Sequence, residues 1–190
     1  MAKAFLDGGA RVIQLRAKQL PSGAFLEHAD HLVRAAESYR ASVIVDDRVD
    51  LALLAGAAGA HVGQEDLPPA AARRLLGPDA VIGYSTHTVP QIETAIQEPV
   101  TYIAIGPAFG TRTKATGYEA VGVELVARAV QMARGVPVVA IGGITLENAP
   151  QVIAAGASSV AVISDLLAGG DPQRRVAAYL RALDGTNDWP

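Results

Sequence analysis

The chain has 190 residues, half of them hydrophobic and 18% charged, with a formal net charge of −3 at pH 7 and no Cys. This composition excludes a disordered chain, a strongly basic nucleic-acid binder, a disulfide framework and a cysteine nucleophile. It fits one compact α/β domain over residues 1–183 with a polar tail over 184–190. Apolar stretches are broken well before the roughly 18 residues a membrane helix needs, and no signal peptide opens the chain, so a cytoplasmic protein is expected.

In chain order, seven short runs of apolar, largely β-branched residues predict strands: Val12–Leu15, Ser42–Val45, Ala60–Gly63, Val81–Tyr84, Tyr102–Ile105, Val136–Ile141 and Ser159–Ile163. Val138-Val139-Ala140-Ile141 does not alternate with polar residues, as expected of a parallel strand buried on both faces. Helical patterns lie between the strands. Phe25, Ala29, Leu32, Val33 and Ala36 form one apolar stripe; Ile92, Ala95 and Ile96 form another behind a Thr88 N-cap. Asp171-Pro172 predicts an N-cap and first helical residue, with Val176, Tyr179, Leu180 and Leu183 on the inner face. Before three of the strands, Gly8-Gly9, Gly56 and Gly156 each end a helix. Repeated helix-to-strand units predict a TIM-type (β/α)8 barrel that lacks its first strand, with an open doubly wound sheet as the alternative. Polar residues at nearly every strand's C-terminal end favour the barrel, which gathers those ends at one mouth.

The same strand ends hold the candidate chemistry. Gln14, Arg16 and Lys18 share one side of an extended run, which is costly unless they meet an anion. Asp47 and Asp66 follow neighbouring strands and suit Mg2+, which takes one or two carboxylates and fills its shell with water and phosphate oxygens. Helix capping is the other use of an Asp at such a place. Ser85-Thr86-His87-Thr88 offers hydroxyls and an imidazole without a Ser/His/Asp triad. The stretch from Gly106 to Lys114 has the composition of an anion-binding flap. Gly142-Gly143 and Ile163-Ser164 close the last two strands, the recurrent phosphate site of such barrels. Two anion sites and one divalent-metal site at one mouth suggest a transferase that releases diphosphate.

From about Gly8 to Leu183 the sequence resembles the thiamine phosphate synthase family. The motifs are Gln14-Leu15-Arg16-Ala17-Lys18, Asp47-Arg48-Val49-Asp50, His61-Val62-Gly63-Gln64-Glu65-Asp66, Ser85-Thr86-His87, Gly106-Pro107 with Thr111-Arg112-Thr113-Lys114, Ala140-Ile141-Gly142-Gly143-Ile144 and Val162-Ile163-Ser164. The resemblance implies a TIM barrel joining a hydroxymethylpyrimidine diphosphate to a thiazole phosphate. It implies that Gln14, Arg16, Lys18, Asp46, Ser85 and Lys114 hold the pyrimidine diphosphate, with Arg16, Lys18 and Lys114 catalytic. Asp47 and Asp66 would ligate Mg2+. Thr111, Arg112, Thr113, Gly143, Ile163 and Ser164 would bind the thiazole phosphate. The partners implied are small phosphorylated molecules, not nucleic acid or membrane.

Two features depart from the family pattern. Asp46 stands where the family has Asn, and a second carboxylate beside Asp47 repels diphosphate unless it is protonated, pairs with a cation or turns toward the metal. The expectation is that it stays near the metal. The first barrel strand is also missing ahead of Met1–Leu6, leaving two apolar edges that a homodimer would cover. The alternatives are a thiazole tautomerase of the same superfamily, with His87 as acid/base, and a non-catalytic barrel that binds thiamine precursors.

Overall fold

The computed structural model of the chain describes residues 1–110 and 117–183. The expected tail over 184–190 and residues 111–116 lie outside the described residues. The first half runs α1 (Ala2–Asp7), β1 (Val12–Leu15), α2 (Ser22–Glu37), β2 (Ser42–Asp46), α3 (Val49–Leu54), β3 (Gly59–Val62), α4 (Pro69–Leu76) and β4 (Val81–Thr86). The second half runs α5 (Val89–Ala95), β5 (Tyr102–Ile105), α6 (Gly122–Met132), β6 (Val138–Ile141), α7 (Ala149–Ala154), β7 (Ser159–Ala161), a 3-10 segment (Ser164–Gly170) and α8 (Pro172–Ala182).

The seven strands form one sheet in the order β1 to β7, and every neighbouring pair is parallel. Strand order that matches chain order, with a helix in most crossovers, is consistent with barrel winding. A doubly wound sheet would reverse its order at a switch point. Among the described residues no pairing joins β1 to β7, so the array is part of a barrel and not a closed one.

Burial explains the strand sequences. Every residue of β3 and β5 is buried, as expected of parallel strands covered on both faces, and β3 takes His61 in with its apolar neighbours. One core cluster centres on Ile103, Ile105, Val126, Val138 and Val152, and a second on Val45, Val49, Val62, Ala72 and Ile82. Helix α2 buries Phe25, Ala29 and Ala36 at helical spacing. Thr88 caps α5 by accepting from the Gln91 N–H, and Asp171 caps α8 by accepting from the Arg174 N–H. Gly9, Gly56 and Gly156 take the left-handed conformations that end their helices.

Several boundaries differ from the sequence reading: β3 lies one residue earlier, at Gly59–Val62, and β6 starts at Val138 and not at Val136. β2 extends to Asp46 and β4 to Thr86, so polar residues are carried into the sheet itself. β7 stops at Ala161, because the chain turns at Ile163 (φ −124°, ψ −78°) into the 3-10 segment and leaves that side chain 54% exposed. Leu180 is 47% exposed and not an inner-face residue. It sits at the margin of the α8 stripe, where its Cδ1 lies over Gly9.

The segment after β7 is fastened to α8 by one carboxylate. Asp165 accepts from Arg175 at 2.8–3.0 Å, from the Tyr179 hydroxyl at 2.5 Å and from the Leu146 N–H at 3.2 Å. Burial pushes its pKa up, but the Tyr179 and Arg175 hydrogen bonds and the Arg175 charge outweigh this and hold it below the usual carboxylate value. A depressed folded pKa adds stability above the unfolded pKa and loses it as pH falls through the folded value. Asp165→Asn is therefore expected to cost about 1 kcal/mol at pH 7 in urea unfolding, and the gap from wild type should narrow as pH falls through the lowered folded value.

Candidate active site

At the ends of β1 and β2 four charges meet. Gln14 Nε2 donates to Asp46 Oδ1 at 2.8 Å, and Arg16 Nη1 donates to Asp46 Oδ2 at 2.5 Å. Lys18 Nζ lies 2.6 Å from Asp47 Oδ2, and Arg16 Nη1 lies 3.8 Å from the same oxygen. Asp46, expected near the metal, is thus 7% exposed and turned onto Gln14 and Arg16. Asp47 sits directly after β2 with φ +62°, a left-handed turn that aims successive carboxylates apart.

Asp66 completes the group. Its Oδ2 accepts from the Gly63 N–H at 2.7 Å, so the loop after β3 folds back on itself. The carboxyls of Asp47 and Asp66 are near enough for each to bias the other's protonation. Burial raises Asp47, but the Lys18 hydrogen bond, the neighbouring Asp66 and the nearby cations bring it below the ordinary value. Burial raises Asp66, and Asp47 adds to this against the Gly63 N–H. Neither Asp is a helix cap: Arg48 precedes α3 and Pro68 precedes α4. A cavity of about 180 Å3 opens beside the group, lined by Ala17, Lys18, Leu20, Phe25, Asp46, Asp47 and Arg48. A larger and shallower cleft around Arg11 and Arg40 includes none of these strand-end residues.

The Ser85–Thr88 stretch separates by role. Thr86 is buried and its hydroxyl donates to the Ala104 carbonyl, while Thr88 caps α5. His87 places Nδ1 2.5 Å from the Gly106 carbonyl, and its ring stacks on Tyr118 at 4.1 Å. Ser85 Oγ lies 2.8 Å from His61 Nε2, and the opposite ring nitrogen lies 2.9 Å from the Tyr102 hydroxyl. Sequence reasoning places His61 within a motif but gives it no role, and it passes over Tyr102 as a strand residue.

The second expected anion site is described in part. Thr111, Arg112, Thr113 and Lys114 lie outside the described residues. Gly142 and Gly143 come directly after β6 with φ +91° and +65°, and Ser164 opens the 3-10 segment next to exposed Ile163. The Phe109 N–H donates to the Gly142 carbonyl, which lays the root of the β5 loop across the glycines. A Cβ on Gly142 would stand 2.6 Å from Pro107 Cα and Cβ.

The comparisons with known proteins agree with this geometry. A family model described as thiamine monophosphate synthase matches residues 1–166. The chain belongs to the thiamine monophosphate synthase family. The thiamine-phosphate synthase of Koribacter versatilis is 44% identical over 182 residues, covering 96% of this chain and 84% of the relative. That of Anaeromyxobacter dehalogenans is 44% identical over 183 residues, covering 96% and 82%. The solved thiamine phosphate pyrophosphorylase from Pyrococcus furiosus superposes with a TM-score of 0.89 at 31% identity, covering 98% of this chain and 89% of its own. Family membership makes the chain a transferase of thiamine biosynthesis.

Gly142→Ala should strain a positive-φ backbone and drive a methyl into Pro107. The expected cost is about 2 kcal/mol, read as a lower midpoint in thermal or urea unfolding.

Proposed function

We propose that the chain condenses 4-amino-2-methyl-5-(diphosphooxymethyl)pyrimidine with 4-methyl-5-(2-phosphoethyl)thiazole, or its carboxylated form, to give thiamine phosphate and diphosphate. The observation that supports this best is the meeting of Arg16 and Lys18 with Asp46, Asp47 and Asp66 at the ends of three adjacent strands. A guanidinium and an ammonium group held on weakly exposed carboxylates are ready to pass to a stronger anion.

The donor set fits Mg2+. Two neighbouring carboxylates repel one another unless a proton or cation lies between them, and Mg2+ needs only one or two such ligands alongside water and phosphate oxygens. Among the described residues no cluster of three or more His, Asp or Glu offers a full protein cage, which suits an ion that keeps water and substrate oxygens. Asp47 and Asp66 would hold it, and it would neutralise charge gathering on the diphosphate.

The chain's own residues then divide the work. Arg16 and Lys18 leave Asp46 and Asp47 for diphosphate oxygens, joined by Lys114, which follows β5 in the sequence. Ser85 meets the pyrimidine. Thr111, Arg112, Thr113, Gly143 and Ser164 take the thiazole phosphate, with exposed Ile163 against the ring. The C–O bond to diphosphate breaks and its electron pair leaves with the diphosphate. The aminopyrimidine spreads the positive charge left on its methylene, and the thiazole nitrogen lone pair forms the new C–N bond. Cationic side chains favour this step because they interact more strongly with the departing anion than with the bound ester. Holding the thiazole beside the methylene supplies proximity. The tautomerase alternative releases no diphosphate and gives no use to the Asp47–Asp66 pair.

The test is diphosphate release by the purified chain given both substrates. Release is expected only with both substrates and Mg2+, with EDTA abolishing it and Asp47→Asn or Asp66→Asn lowering it about 100-fold. Release that continues unchanged in EDTA would overturn the metal assignment, and none from a folded chain would favour the binding-only barrel. Asp46→Asn should lower the KM for the pyrimidine diphosphate about threefold by removing a charge that competes for Arg16, with kcat retained. A fall in kcat would mean that the carboxylate itself is needed.

A further inference from the structure

The His61 network is polar, buried and built across three strands. Strand register places Asp46, His61, Gly83 and Tyr102 side by side on consecutive strands β2 to β5. His61 and Tyr102 are each 7% exposed. Gly83, between them, carries no side chain. A Cβ there would fall 2.2 Å from Tyr102 Cζ, 2.3 Å from its hydroxyl and 2.4 Å from His61 Nδ1. The glycine is thus the gap through which a β3 imidazole reaches a β5 phenol.

A buried histidine needs a partner for each of its two ring nitrogens, and here one of the two partners lies toward the mouth. Its Nε2 meets Ser85 Oγ two residues further along β4, toward the mouth that holds Asp46 and Asp47. The hydroxyls that follow this position are used elsewhere, Thr86 on the Ala104 carbonyl and Thr88 on α5. Gln64 Nε2 donates to the Ser85 carbonyl at 2.6 Å and fixes the backbone at the same residue. A serine hydroxyl has one proton and two lone pairs on a free rotor. In either tautomer the bond to Nε2 takes up one of these positions and so restricts the rotor. Burial pushes the Tyr102 pKa up, so the phenol keeps its proton and stays a neutral member of the chain.

We propose that His61 is a positioning residue: seated over Gly83 and steadied by Tyr102, it sets the Ser85 hydroxyl to hydrogen-bond the pyrimidine ring. The inference rests on the reading that Ser85 touches the pyrimidine substrate, and it adds the residues that make that contact directional. Setting the rotor before the substrate arrives spares its ordering cost on binding. The contact serves the ring and not the diphosphate, which the cations take.

The test is calorimetric binding of the pyrimidine diphosphate, and separately of inorganic diphosphate, in the presence of Mg2+. Ser85→Ala is expected to weaken the pyrimidine diphosphate about tenfold, the worth of one hydrogen bond, and to leave inorganic diphosphate within about twofold. His61→Ala should do the same. The double variant should be no weaker than Ser85→Ala, because His61 acts through that hydroxyl. His61→Gln, whose amide reaches the position of Nε2, should recover most of the loss. Factors that multiply in the double variant, or His61→Ala with wild-type affinity beside a weakened Ser85→Ala, would overturn the proposal while leaving the Ser85 contact standing. Ser85→Ala with wild-type affinity would overturn the contact itself. Equal weakening of both ligands by His61→Ala would assign it a structural role only. If His61→Ala does not fold, Tyr102→Phe, which removes one oxygen, is run through the same cycle with Ser85→Ala and is held to the same outcomes.

Discussion

Arg16 and Lys18 sit at the open end of a sheet whose interior is apolar, and each is held by a carboxylate from the next strand. The buried member is Asp46, and a buried carboxylate is expensive unless paired. Gln14 and Arg16 pair with it and Lys18 pairs with Asp47, so the strand ends stay ordered and the cations stay near the mouth. The nearness of Asp47 to Asp66 is the unbalanced part of the group. On the proposed reading a divalent cation would sit there in place of a shared proton, and would link a structural charge cluster to the release of diphosphate.

The sheet makes this cluster possible through register. Residues Asp46, His61, Gly83 and Tyr102 come from four strands and lie in one row because every pairing is parallel and sequential. The first strands thereby carry the charged side chains, and the middle strands carry neutral hydrogen bonds around Ser85. The last two strands are followed by glycines and a 3-10 segment. On the proposed reading the charged end would take the diphosphate and the far end the thiazole phosphate.

Local patterns were legible wherever a local cause fixed the structure. Val12–Leu15 and Tyr102–Ile105 are strands at the bounds their apolar runs predict, and Thr88 and Asp171 are caps as their chemistry requires. Ser159–Ile163 misled because a β-branched run continues past the point where the backbone turns. The turned segment is held by Asp165 on Arg175 and Tyr179 of α8, contacts that an apolar run does not encode. Leu180 misled because helical spacing does not say where the neighbouring helix ends. The convergence of Gln14, Arg16 and Lys18 on an anion was foreseeable, but not that Asp46 supplies it to Gln14 and Arg16 and Asp47 supplies it to Lys18. His61 and Tyr102 are 41 residues apart, and only the register of β3, β4 and β5 with a glycine between them brings the two together.

The most direct test of the charge cluster as a diphosphate and Mg2+ site is calorimetric binding of inorganic diphosphate with and without Mg2+. Thermodynamic linkage requires that each ligand tighten the other if they share Asp47, Asp66, Arg16 and Lys18. The account predicts at least about tenfold tighter diphosphate binding with Mg2+, lost in Asp66→Asn. Equal affinity with and without the metal would contradict it.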